Sequence, residues 1–553
     1  MNRRRPTGRI STVVLGALAL ALVLSAPARA AEVFDLMPAE VQGAVVVTSL
    51  ERLFDVFDIA AIRAENPGAF SEFSADLLEQ TGYDPADLDG WRRAGFDVGR
   101  PFAFGMAGKE DLTYTVLLLP GGREALDTLR RIMVAEGEER VTEHRGVEIR
   151  TVEDVAAVLA HKDYVAVVAA DEGSAVSAAE HYLDQLDRRR LTADDRYRRV
   201  AGGLDRKADV GAYVGPELYR AVFSHGEPDE LAAFGMSVEE TEALYKEWGL
   251  DDASGVFSAT FTATGVSGRG AGWIRPDSPL FEWYRLDADP TAFLRRTPAD
   301  PWLANLGRIN LGRAWRVLRE AIPEPPADSL PSLDERLEQM SETLKIDVER
   351  ELIEQIDGNV LVLINRAAPM EADAALLVQV SDPARFRQTL AHIVAESSDG
   401  EEGEPSSIVE DQVAGVSYYR SLLPVVGELC MGVIDDHFVL TLSRERFRAI
   451  AEGERGFAAT LGNKSLQSAA DDPTGTAFYL DFQGMLRDLE ALAPMLGGDD
   501  EMLALARELS HLVVVSRIGD GKTSSEFELV ATNAGFWRRL LERFAVEEEP
   551  ESY

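Results

Sequence analysis

The chain contains a weak internal similarity: five short blocks of its first half recur, in the same order, in its second half. The clearest correspondences pair Asp209–Val214 with Gly475–Leu480, two buried-looking segments that each carry a tyrosine, and Gly146–Ile149 with Gly415–Tyr418. Collinear similarity over such long separations is typical of a structural unit that is used twice. The similarity therefore predicts two equivalent modules.

The order of elements within each half predicts the fold class. Both halves start with a strand and a helix, near Leu50 and Leu311, then run through hairpins interleaved with helices and end on a hairpin. Strand pairs such as Pro101–Met106 and Thr113–Leu119 are too close in sequence for a crossover helix, which indicates antiparallel pairing. We expect an α+β fold made of two tandem copies of an antiparallel-sheet-plus-helices module, with helices over one sheet face.

The proposed boundaries follow the blocks and a group of prolines between residues 286 and 301. We predict a signal peptide, a first module copy, a second copy and an acidic tail at residues 1–30, 31–290, 291–546 and 547–553, respectively. Helix-rich inserts are predicted at 217–248 and 485–509, and loops at 323–331 and 397–407, the second of them mobile and acidic.

The first thirty residues have the three parts of a secretory signal peptide. Four arginines precede an apolar stretch from Ile10 to Ala26, and Ala28-Arg29-Ala30 is a small-x-small cleavage pattern. Cleavage would leave Ala31 as the first residue. An uncleaved anchor is the alternative, because the stretch is only slightly shorter than the ~20 residues of a spanning helix. We predict a periplasmic or secreted protein that contacts the membrane only if this segment is uncleaved.

Charge and cysteine content exclude some partners and some means of stabilisation. Without the five arginines of the signal region, the formal net charge changes from −39 to −44. Such an acidic chain repels nucleic acid, so no nucleic-acid partner is expected. The single cysteine, Cys430, cannot form an intramolecular disulfide, and its apolar neighbours predict a buried thiol.

Two segments that lead towards helices, Gly146–Ile149 and Tyr164–Val167, carry a family resemblance. Together with the export segment, they resemble a bacterial family of secreted or surface-anchored proteins catalogued as a domain of unknown function. The resemblance covers most of the mature chain and implies an envelope location. It brings no catalytic residues to transfer to this sequence.

Two glycine-rich segments approach nucleotide-binding motifs without meeting their requirements. Gly519–Thr523 ends like a phosphate-binding loop, but Ser516 stands where the first glycine is needed, and a strand is predicted to follow instead of a helix. Gly268–Gly272 lies inside a predicted hairpin with no helix after it. Both segments predict turns or close backbone approaches, so no cofactor is expected.

The sequence predicts no metal site and leaves any catalytic residues unknown. Seven histidines never pair at a spacing that places two imidazoles on one face: His144, His161, His181, His225, His392, His437 and His511. Neither a Gly-x-Ser-x-Gly motif nor an activated Ser-x-x-Lys motif is present. Since a triad can assemble from distant residues, these patterns lower the expectation of an enzyme without removing it.

Acidic pairs and helical aromatics each have a structural and a functional interpretation. Pairs such as Asp194-Asp195 and Asp435-Asp436 are expected on the solvated surface, with loose divalent-cation binding as the alternative. The helical aromatics are expected in cores, with a ligand groove as the alternative; they are Phe54, Phe57, Trp315 and Trp537.

A recurring architecture without a recurring catalytic set favours binding over catalysis. We therefore predict an exported, non-enzymatic envelope protein that binds or organises an unknown envelope protein or an apolar ligand. One alternative is an extracytoplasmic hydrolase with a site between the modules. Another is a periplasmic carrier or chaperone for lipid or lipoprotein.

Overall fold

The computed structural model describes most of the chain beyond the predicted signal peptide. The described residues are 30–65, 84, 87–109, 112–134, 137–152, 154–170, 173–205, 207–218, 238–284, 286, 301–321, 332–365, 373–398, 408–423, 427–453, 467–468, 472, 474–488, 506–519 and 521–540. The predicted signal peptide before residue 30, the predicted loop at 323–331, residues 399–407 of the second predicted loop and the predicted acidic tail lie outside these residues.

Twenty strands form the framework of the described residues. They are β1 Val41–Val47, β2 Phe102–Lys109, β3 Leu112–Pro120, β4 Glu139–His144, β5 Val147–Val152, β6 Ala156–His161, β7 Tyr164–Ala170, β8 Val210–Val214, β9 Ser254–Thr262, β10 Gly265–Trp273, β11 Pro301–Asn310, β12 Ile356–Asn365, β13 Asp373–Val380, β14 Ile408–Val413, β15 Val416–Leu423, β16 Gly427–Ile434, β17 His437–Thr441, β18 Gly475–Asp481, β19 Leu509–Gly519 and β20 Lys522–Ala531.

Helices connect and cover these strands. The α-helices within the described ranges are α1 Ala30–Phe34, α2 Leu50–Phe57, α3 Ile59–Glu65, α4 Leu88–Arg93, α5 Arg123–Val134, α6 Ala175–Arg188, α7 Asp195–Val200, α8 Val238–Glu247, α9 Leu311–Ala321, α10 Leu333–Leu344, α11 Val348–Glu351, α12 Pro383–Ser398 and α13 Arg444–Glu452. Short 3-10 helices lie at Leu191–Ala193, Ala201–Gly203, Leu250–Asp252, Pro279–Tyr284 and Ile353–Gln355.

The predicted fold class, two tandem copies of an α+β module, is wrong. All twenty strands belong to one large antiparallel sheet, and this sheet, rather than a repeated module, organises the fold. The physical reason is that the backbone groups of an edge strand stay available for pairing with a further strand. The alternation of apolar and polar residues along a strand predicts which face of the sheet each side chain lies on. It does not predict how many strands the sheet contains.

The contacts divide the chain into two compact units that interleave along the sequence. The first contains the described parts of Met1–Val222, Asp252–Trp273 and Ala531–Tyr553, and the second those of Phe223–Asp251 and Ile274–Val530. Pairing in the first unit follows the order β4–β5–β6–β7–β3–β2–β1–β8–β9–β10. In the second unit the order is β14–β15–β16–β17–β13–β12–β11–β18–β19–β20.

The core of the first unit lies between its central strands and α6. Ser174 caps this helix by accepting a hydrogen bond from the backbone N–H of Ser177, which satisfies one of its free N-terminal donors. The buried face of α6 carries Ala175, Ala178 and Ala179 beside Tyr182. Small alanines allow the helix to approach the sheet closely, and Tyr182 fills the remaining space while its hydroxyl donates to the Leu36 carbonyl at 2.9 Å.

The core of the second unit lies beneath α13. Ser443 caps the start of this helix, and Gly453 ends it in the left-handed conformation at φ 72°. Phe447 of α13 stacks on Tyr418 of β15 with ring centroids 4.7 Å apart. Cys430 is fully buried in the same cluster, so the predicted buried thiol is confirmed, and this burial raises its pKa to about 11.

Helices cover both faces of the sheet, which corrects the expectation that they lie over one. Phe386 of α12 packs with Val380 of β13 and with Val433 on one face of the sheet. Leu377, also in β13, lies on the opposite face, in the core beneath α13. Strands with consecutive buried apolar residues, such as Val116–Leu119, need cover on both sides. Among the described helices, none is both long enough and apolar enough to cross a membrane.

Candidate functional site

A cavity of about 510 Å³ opens in the first unit beside the turn between β6 and β7. Its lining combines two cations, three carboxylates and a few neutral side chains: Glu32, Asp35, Leu36, Arg100, Lys162, Asp163, Tyr164 and Thr192. We call it the Arg100 cavity. Its walls come from α1 and the residues after it, from Arg100 just before β2, from the β6–β7 turn and from the 3-10 helix at Leu191–Ala193.

One wall of the cavity is a closed hydrogen-bond group around Asp35. The Arg190 guanidinium Nη1 lies 2.6 Å from Asp35 Oδ2, and the Thr192 hydroxyl donates to Asp35 Oδ1 at 2.7 Å. Both carboxylate oxygens are therefore engaged, and so is the one aliphatic hydroxyl of the lining. This wall shapes the cavity and offers neither a free base nor a free nucleophile.

Arg100 is incompletely satisfied. Its Nη1 lies 3.5 Å from Asp163 Oδ2, longer than a good hydrogen bond, and its guanidinium lies 5.0 Å from the centre of the Tyr164 ring. Its Nε is shielded from solvent and has no hydrogen-bond partner within the described part of the chain. A guanidinium has five N–H donors, so Arg100 keeps donors for a further acceptor.

Lys162 is held in an unfavourable backbone conformation at the cavity. It occupies the first of two turn positions between the paired residues His161 and Tyr164, with φ 55°. Such turns favour asparagine or glycine, and most other residues have a conformational cost there because of their Cβ atom. No carboxylate of the described residues forms an ion pair with Lys162. Burial, and then the charges of Lys162 and Arg190, lower the pKa of the neighbouring His161.

The histidines named from the sequence are dispersed over separate partners. His144 contacts Asp184, His181 contacts Glu40, His392 contacts the Lys345 carbonyl, His437 contacts Asp436 and His511 contacts Ser510. His225 lies outside the described residues. In the ranges that the structure describes, no three histidine, cysteine or acidic side chains come close enough together to hold a metal ion.

The acidic pairs do not all lie on a solvated surface. Asp194 is buried, where it caps α7 by accepting from the Arg196 backbone N–H at 2.8 Å. Asp436 lies 2.6 Å from His437 Nδ1, and this hydrogen bond holds the pKa of Asp436 at about 2. In each of these two pairs, one carboxylate therefore has a structural role, and its partner is a near neighbour in sequence.

Two of the helical aromatics lie in a core, as predicted. Phe57 and Trp537 meet edge to face at 5.5 Å, and the Trp537 indole N–H donates to the Thr262 carbonyl at 2.8 Å. Phe54 and Trp315 are only half-buried. The glycine-rich segments form the predicted hairpins, with Gly521 at φ 79° between β19 and β20.

Sequence reasoning missed every residue of the Arg100 cavity. One local signal was available: Lys162-Asp163 stands between two apolar strands where a tight turn favours Asn-Gly. The other residues come from segments up to 160 positions apart, such as Glu32 and Thr192, and no spacing rule links them.

Comparisons with known proteins do not assign a family. No family model and no curated protein matches the chain. A solved structure, crystal form I of TP0453, is similar over 75% of this chain and 95% of that chain, at 8% sequence identity and a TM-score of 0.16. A likeness of this size carries no argument about the fold or the function of this chain.

Proposed function

We propose that the protein is an exported, non-enzymatic binding protein and that the Arg100 cavity is its site for a small polar ligand. One observation carries the proposal: Arg100 and Lys162 both line the cavity without strong ion pairs among the described residues. Cationic donors at a cavity wall favour a ligand that supplies the missing acceptors. The cavity volume also falls within the roughly 300–1,000 Å³ of small-molecule sites.

The lining favours binding over catalysis. Nucleophilic catalysis needs a nucleophile within reach of a base, and that base needs freedom to accept a proton. The Thr192 hydroxyl already donates to Asp35, whose other oxygen is held by Arg190. This arrangement orients the wall of a binding site.

Export is part of the proposal and rests on the pattern of the first thirty residues. The expected partner is therefore a molecule met in the periplasm or outside the cell. The hydrolase and lipid-carrier alternatives are separate predictions: turnover of an ester or peptide substrate would favour the first, and co-purified lipid would favour the second.

A thermal-shift screen of the mature protein tests the proposal. A panel of amino acids, small carboxylates, phosphate esters and sugars is compared on the wild type, on Arg100→Gln and on the control Arg130→Gln. Arg130 is an arginine of the same unit that pairs with Glu139, and neither residue lines the cavity. A ligand at 100 times its Kd adds about 2.7 kcal/mol to the free energy of unfolding.

We expect at least one polar compound to stabilise the wild type and Arg130→Gln but not Arg100→Gln. Equal stabilisation of all three proteins would place the ligand elsewhere. No stabilisation by any compound of the panel would contradict the proposed function.

A further inference from the structure

We infer that the ligand of the Arg100 cavity is a small zwitterion, with its anionic group beside Arg100 and Lys162 and its ammonium group beside Glu32 and Asp163. The inference rests on the proposed function and adds the chemical class of the ligand. It follows from the distribution of engaged and available charges around the cavity.

The anionic group is assigned by the two cations. Arg100 lines the cavity, and its only carboxylate contact in the lining, between Nη1 and Asp163 Oδ2, is at 3.5 Å. Lys162 reaches the same cavity from the adjacent turn. A carboxylate or phosphate between them would accept charge-assisted hydrogen bonds from both side chains.

Asp163 is a weak internal competitor for this anion. Its side chain is 79% exposed, and its contact with Arg100 is long, so a ligand oxygen at normal hydrogen-bond distance would displace it at small cost. Once displaced, the Asp163 carboxylate stays at the cavity rim and faces the bound molecule. It then favours a positive group on the ligand.

Glu32 provides the second acidic group of the ammonium side. It is exposed on α1, lines the cavity and forms no ion pair within the described ranges. Asp35 does not serve this purpose, because Arg190 and Thr192 occupy both of its oxygens. Glu32 and Asp163 are therefore the carboxylates that a ligand ammonium would meet.

The charge of the whole chain supports a neutral ligand over a free anion. The formal net charge is −39 for the full sequence, so the long-range field repels anions. A zwitterion has no net charge and escapes this repulsion, while at contact distance it still gains both local attractions. The acidic surface and the cationic cavity wall are thus compatible.

Isothermal titration calorimetry of the full mature protein tests the inference with matched probes. β-Alanine has no net charge, and in phosphoethanolamine the ammonium group offsets part of the phosphate charge, so both probes carry groups of both signs. Inorganic phosphate, acetate and ethanolamine carry groups of one sign only. We expect the zwitterions to bind about tenfold more tightly than their single-charge parts, since a charge-assisted hydrogen bond contributes roughly 1.5 kcal/mol. Vesicles of phosphatidylglycerol, whose headgroup carries only a negative charge, with and without phosphatidylethanolamine test whether the same chemistry is recognised on a lipid headgroup.

Three variants separate the two halves of the site. Lys162→Gln should weaken phosphate and phosphoethanolamine binding alike, by about tenfold. Glu32→Gln should weaken phosphoethanolamine and spare phosphate. Lys522→Gln, an exposed lysine at the start of β20, is the matched control and should change neither. Thermal unfolding of each variant verifies that it is folded.

The outcomes distinguish this inference from the proposed function. Phosphate binding as tightly as phosphoethanolamine, with no effect of Glu32→Gln, would overturn the zwitterion and leave a binding protein for anions. Arg100-dependent binding of a different compound from the panel, with no binding of either zwitterion, would also overturn the zwitterion inference, but it would support the proposed function. Absence of any Arg100-dependent ligand would overturn both.

Discussion

At the scale of single residues, Glu40 ties three elements of the first unit together. It precedes β1, and its Oε1 accepts the Tyr114 hydroxyl of β3 at 2.7 Å and lies 2.9 Å from His181 Nε2 of α6. Tyr114 is almost fully buried, and this burial, followed by the Glu40 charge, raises the pKa of its phenol. A buried hydroxyl that loses its acceptor bears the full cost of its desolvation.

We therefore predict that Glu40→Ala lowers the free energy of unfolding by about 1–3 kcal/mol, because it leaves the Tyr114 hydroxyl without this acceptor. Tyr114→Phe should cost less, about 0.5–1.5 kcal/mol, because donor and hydrogen bond disappear together. Urea unfolding followed by circular dichroism measures both variants. The double variant should cost less than the sum of the two single changes.

Tyr213→Phe is the matched control for this pair. Tyr213 is buried to the same degree, but its hydroxyl has no hydrogen-bond partner in the described part of the chain. Removal of this hydroxyl group should leave the free energy of unfolding unchanged or slightly higher. A loss at Tyr213 as large as that at Tyr114 would show that the removal of a buried phenolic oxygen, and not the lost contact with Glu40, decides both results.

Asp436 gives a prediction for acid stability. The hydrogen bond with His437 holds the pKa of Asp436 at about 2 in the folded protein, below its ordinary 3.8. The unfolded chain therefore takes up this proton first as the pH falls, and the associated stability, complete above about pH 4, is lost towards pH 2. Asp436→Asn should flatten the fall in unfolding free energy across this window in pH-dependent urea titrations. Parallel curves for variant and wild type would contradict this assignment.

At the scale of elements, the two-residue turns of the hairpins have an unusual composition. Arg145, Lys162, Ala414 and Asp435 all adopt positive φ values of 50–55° at first turn positions. Twisted hairpins need this backbone conformation, which asparagine and glycine accept more readily than other residues. Ala414 is exposed and precedes Gly415, so its turn lacks only the asparagine of the preferred Asn-Gly pair.

Ala414→Asn should therefore raise the free energy of unfolding by about 0.5–1 kcal/mol. Ala414→Val is the matched opposite change and should lower it, because a β-branched residue is strongly disfavoured at positive φ. Thermal unfolding of the two variants beside the wild type measures the difference. Equal unfolding temperatures for the two variants and the wild type would mean that the turn between β14 and β15 opens before the rest of the protein unfolds.

At the scale of the whole molecule, the predicted cleavage after Ala30 would place the new N-terminus next to Glu32 of the Arg100 cavity. The sequence predicts cleavage after Ala30, and Glu32 of the cavity lining stands two positions further on. We expect N-terminal sequencing of the protein from an exporting bacterial host to begin at Ala31, in the periplasmic or medium fraction. A protein that keeps the segment and sediments with membranes would establish the uncleaved anchor instead.

Local sequence patterns were sufficient to predict the features that depend on near neighbours. Alternation and turn residues gave the closing hairpins β9–β10 and β19–β20, polar residues such as Ser49 gave the starts of helices, and apolar flanks gave the buried Cys430. Each of these depends on contacts or torsions within a few residues, so local patterns contain the information.

The twenty-stranded sheet, the helices on both of its faces and the Arg100 cavity could be seen only in the folded protein. Edge pairing obeys no local pattern, because any edge strand offers the same backbone donors and acceptors. The cavity brings Glu32, Arg100 and Lys162 together through loop paths whose lengths leave no periodic signal. The burial of these charged side chains and their contacts arise only when segments that are distant in sequence come together in the folded chain.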